Sequence, residues 1–128
     1  MSGLDFAAWL ALLACIVGGV RGGLMLAQSD APLLGPWGGD AAPVRTLGVA
    51  VLVTHAATAA VLGYDANLGH GMALALGLGW IAAAAVRFWG ARKLGHRPRG
   101  AVVELLTGVV LALPAWAAMA RLSRGSLV

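Results

Sequence analysis

Acidic residues are scarce in this sequence: Asp and Glu together number 5 in 128 residues, and none stands beside another. Paired carboxylates on one helix face, the usual equipment for general acid–base work, are therefore excluded. Nor is there an HExxH helix, a glycine-rich phosphate loop after a strand, or a Ser, His and Asp set at one depth. No enzyme is expected. Cysteine is nearly absent too, and a single Cys15 excludes an intrachain disulfide and a multi-cysteine zinc site. One intramembrane histidine cannot form a two-histidine haem clamp, so neither metal nor cofactor is expected. The 9 Lys and Arg give a net charge of +4 and a pI near 10.7. They flank apolar runs with no basic helix or aromatic-studded sheet, which argues against nucleic acid as a partner.

What the chain has instead is apolar surface. Hydrophobic residues make up 60% and charged ones 11%, with a mean hydropathy of +0.86. That is not the balance of a water-soluble domain, so the lipid bilayer is the expected solvent. Leu12-Leu13-Ala14-Cys15 loosely matches the lipobox before a lipoprotein cysteine. No Lys or Arg precedes Arg21, however, and the apolar run continues past Cys15, so the segment reads as a retained span.

Four runs approach the roughly 20 helical residues that cross a hydrocarbon core. They cover about 6–27, 47–64, 72–89 and 101–120. The fold expected is all-α: a polytopic membrane protein forming one domain, its four transmembrane helices in an up-down bundle. Pro32, Pro36 and Pro43 with several glycines mark 28–46 as a connection. It reads as a surface loop in which Leu33, Leu34 and Trp37 dip into the interface, with a re-entrant segment as the alternative. Residues 65–71 form a shorter connection, and Pro114 is expected to kink the last helix.

Basic residues orient the bundle. Arg21, Arg45, Arg87, Arg92, Lys93, Arg97 and Arg99 belong to the side of loops 28–46 and 90–100, seven against Arg121 and Arg124 on the other. The positive-inside rule puts those loops in the cytoplasm and both termini outside an inner (plasma) membrane. Arg92, Lys93, Arg97 and Arg99 are also candidates for contact with anionic lipid headgroups, which favour such residues by about 1 kcal/mol each.

Two features stand out within the spans. Gly18 and Gly22, and Gly19 and Gly23, are spaced by four, a pattern that lets another helix approach closely in lipid. Arg21 lies among them. Six residues, or roughly 9 Å, separate it from the end of its span, and Glu104 enters to roughly 6 Å from the same side. An Arg21–Glu104 ion pair between the first and fourth spans is expected. Its role stays open between fixing helix order and serving as a gate or as an anion or proton site. His55 lies deeper, roughly 12 Å into the second span. A neutral ring bonded to a threonine or to a carbonyl of a neighbouring helix competes there with proton relay or ligand contact.

The leading expectation for function is a packed subunit, in a homo-oligomer or among other membrane subunits, with the glycines as the helix-docking face. The alternatives are a small ion or solute transporter or channel whose path is lined by Arg21, His55 and Glu104, and a lipid-handling enzyme or lipid-binding protein.

Overall fold

The computed structural model describes residues 6–95 and 100–125. Arg97 and Arg99 lie outside these residues. The described chain forms four long helices: α1 (Phe6–Ala27), α2 (Ala41–Tyr64), α3 (Ala66–Leu94) and α4 (Ala101–Gly125). All four are long and apolar enough to cross a membrane. Between α1 and α2 a short 3-10 segment, Pro32–Trp37, occupies the middle of the connection.

Three helices exceed the apolar runs that announce them. α2 begins six residues before Leu47 and takes in Pro43, which is tolerated because first-turn amides need no intrahelical acceptor. α3 begins at Ala66, so the expected seven-residue connection shrinks to Asp65 alone. The Asp65 carboxylate accepts from the amides of Asn67 and Leu68, capping a polar first turn that hydropathy leaves out. At the other end α3 continues to Leu94, closing on Gly95 in the left-handed conformation, with Arg92 and Lys93 suiting the negative end of the helix dipole. α4 runs on through Pro114.

Apart from Met25, Leu34, Leu62 and Leu111, the buried apolar residues are small and the large ones lie outside. Ala8, Ala11, Cys15, Ala73, Ala84 and Ala101 are buried, whereas Leu13, Val20, Leu78, Val86, Leu106 and Trp116 are exposed. A helix set that buries alanine and glycine and displays leucine and valine suits lipid, where association depends on close backbone approach. Two glycine pairs provide that approach. A Cβ on Gly22 would stand 2.8 Å from the Gly48 carbonyl oxygen, and one on Gly48 would stand 2.8 Å from that of Gly22, which fastens α1 to α2. Gly77 and Gly108 do the same for α3 and α4 at 2.6 Å each way. In both pairs the register falls on one helix as it rises on the other. α1 also packs on α4, and α2 on α3, which closes a four-helix set.

Candidate functional site

Polar side chains converge where the connection before α2 folds back over the helices. Backbone bonds hold the fold-back: Ala31 donates to Gln28, Leu34 to Ala31, and Gly39 to Ser29 at 2.9 Å. Leu34 is buried beneath it. Trp37 is thereby brought against α4. Gly100, at φ +79°, is a position that favours glycine on conformation alone, and a Cβ there would also meet Pro36 at 2.7 Å.

Glu104, only 1% exposed, stands in the first turn of α4. Its Oε1 accepts from the Trp37 indole at 2.8 Å and from Arg87 Nε of α3 at 2.6 Å. The expected Arg21–Glu104 ion pair is thus corrected: Arg87 is the partner. The sequence counts Arg87 as a marker of the membrane edge, but α3 packs beside α4 in a register that sets it level with Glu104. Arg21 instead faces aromatic rings, its guanidinium carbon 4.2 Å from the centre of the Trp37 ring and 5.3 Å from that of Trp80. Such cation–π contacts strengthen where water is excluded. Nη1 of Arg21 and Oε2 of Glu104 are both buried without a hydrogen-bond partner.

Trp80 connects this cluster to His55. Its indole N–H donates to His55 Nε2 at 3.0 Å, and His55 Nδ1 lies 2.7 Å from the Val51 carbonyl of its own helix. A nitrogen facing an acceptor must carry the proton and one facing a donor must not, so the geometry selects the neutral Nδ1–H tautomer. The carbonyl and a threonine, Thr54 Oγ1 at 3.4 Å from Nδ1, both belong to the ring's own helix, and the neighbouring-helix partner is an indole. Thr54 and Thr58 hydroxyls bond to Ala50 and Thr54 carbonyls in their own helix. Gly18 gives the ring its seat, since a Cβ there would strike His55.

The cluster backs onto a cavity of about 520 Å³. Trp37, Trp80, Arg87 and Glu104 supply its polar and aromatic wall, and Met25, Leu47, Val51 and Val86 are among its apolar lining. Two guanidinium groups and one carboxylate stand at or beside it, leaving one positive charge in excess.

The remaining expected residues divide. Gly18 and Gly22 pack within the chain, whereas Gly19 and Gly23 have nothing within 4 Å of where a Cβ would stand. Arg92 and Lys93 line a separate surface pocket of about 310 Å³ with Trp89, and Lys93 Nζ lies 5.8 Å from its ring centre. Trp80 is the residue that sequence reasoning overlooked. An indole in mid-span, away from the interfaces where tryptophan collects, was its signal. No family model, curated protein or solved structure matches the chain.

Proposed function

We propose that this chain is a small multi-pass protein of the inner membrane that binds an anionic solute inside the bilayer and conveys it as a transporter or channel. In this reading the helices run up and down, both termini are outside, and loops 28–46 and 90–100 are cytoplasmic, as the seven-to-two division of basic residues supports. The observation that carries the function is the excess positive charge around the cavity: Arg21 and Arg87 against Glu104, with Nη1 of Arg21 still lacking an acceptor. Ionisable residues within spans are costly, and a solute path is the default hypothesis for them. His55 has both nitrogens occupied and belongs to the scaffold that holds Trp80.

The test is flux into proteoliposomes, with a panel running from chloride and acetate to longer carboxylates. Wild-type protein is expected to raise the flux of at least one anion above that of protein-free vesicles. Arg21→Gln, which keeps length and hydrogen-bonding capacity but removes charge, is expected to lower that flux tenfold or more. Flux equal to that of empty vesicles across the panel, with no saturable binding, would sink the proposal.

A second reading, assembly with further copies or other subunits, is favoured by the Gly19 and Gly23 pair, which no described element covers.

A further inference from the structure

The cavity has two chemically different ends. At one end are Arg87, Glu104 and the indoles that cover Arg21. The other is apolar and opens on the outer surface between α2 and α3, where Leu47 and Val86 are 54% and 71% exposed. The opening follows from the fold. α2 and α3 are joined through Asp65 and pressed together there, a Cβ on Gly69 lying 2.6 Å from the Leu62 Cα. Towards Leu47 and Arg87 the cavity lies between them, with Trp80 reaching across its inner part to His55. Gly79 lines the opening and has no atom within 4 Å of its Cβ position, so the passage beside it is clear.

The cavity joins an exposed apolar mouth to a charged end made of Glu104, which is buried, and Arg87, whose side chain is 33% exposed, and such a site suits a ligand that is part hydrocarbon and part charge. Its volume falls within the roughly 300–1,000 Å³ of ordinary ligand pockets. We infer that the site takes an anionic amphiphile, a single apolar chain bearing a carboxylate or phosphate head, which enters from the bilayer between α2 and α3. The head faces Arg87, with Arg21 adding its charge from behind the indoles, and the chain lies past Gly79 into the lipid. Of the two buried atoms without partners, Arg21 Nη1 is a donor suited to the oxyanion that either head carries. This inference rests on the anion reading above and adds the direction of access and the chain.

Tryptophan fluorescence tests it. Trp9, Trp89 and Trp116 are exposed and replaceable by phenylalanine, which leaves Trp37 and Trp80, both lining the cavity, as reporters. In uncharged detergent, dibromostearate is expected to quench them saturably, while its methyl ester quenches only weakly and without saturation. Oleate and oleoyl lysophosphatidate serve as competitors, and whichever displaces the probe at lower concentration identifies the head. Gly79→Leu is expected to weaken dibromostearate binding at least tenfold by filling the passage. Val86→Phe, at an exposed position outside the core, is expected to do the same should Gly79→Leu misfold. If acetate or inorganic phosphate displaced the probe as well as oleate, or if both mouth variants bound normally, access from the bilayer would be wrong and the anion site would stand. If the ester bound as tightly as the acid, or if no anion bound at all, both readings would fall.

Discussion

Glu104 is the residue on which the interior turns. It is buried, charged and bonded through one oxygen to side chains from two other elements, Trp37 and Arg87. Removing Glu104 leaves the Trp37 indole without its acceptor and Arg87, whose side chain is 33% exposed, without its partner, at a cost of about 1–3 kcal/mol. Glu104→Ala is therefore expected to lower stability by that order in an SDS titration of the protein in mixed micelles. Adding Arg87→Ala should recover part of the loss, and adding Arg21→Ala should not. Recovery with Arg21→Ala instead would make Arg21 the true partner. The sequence shows both the carboxylate and a cation at a matching depth, but it cannot rank Arg21 above Arg87. That choice depends on the register of α3 and of α1 against α4, both of which pack on it. Arg21 is read correctly as a costly charge needing company; the company is two indoles, one of them from a connection whose path no hydropathy pattern records.

At the scale of the helix, close packing is local enough to test within one element. Gly77 and Gly79 are two residues apart on α3 and meet different surroundings. A Cβ on Gly77 would lie 2.6 Å from the Gly108 carbonyl oxygen, and one on Gly79 would meet nothing within 4 Å. Gly77→Ala is expected to force α3 from α4 and cost about 1–3 kcal/mol, the usual range for overpacking. Gly79→Ala should leave stability unchanged or raise it slightly, because alanine is the better helix former. Equal effects in the same SDS titration would contradict the α3–α4 register. The helices themselves are legible in the apolar runs, since a bilayer requires length and hydropathy together. Their ends are not. Asp65 caps α3 through side-chain bonds that only the folded turn provides, and Pro43 is admitted by its place in the first turn. Trp37 was expected at the interface, and the fold-back carries it instead to Glu104.

The whole molecule joins two tightly fastened helix pairs, α1 with α2 and α3 with α4, which meet each other less extensively. Among the described residues, small-residue faces stay uncovered at Gly19 and Gly23 on α1 and at Gly71, Ala75 and Gly79 on α3. Gly19→Leu with Gly23→Leu is expected to abolish crosslinking between copies in native membranes without unfolding the monomer, because neither side chain meets an internal neighbour. Unchanged crosslinking would locate the contact elsewhere. The single residue between α2 and α3 has a consequence for biogenesis. With only Asp65 between their ends, two apolar helices of 24 and 29 residues have no soluble loop to be threaded separately. They must leave the insertion machinery together, as a hairpin. The orientation that the first of them takes is then imposed on the second, and an error in one inverts both.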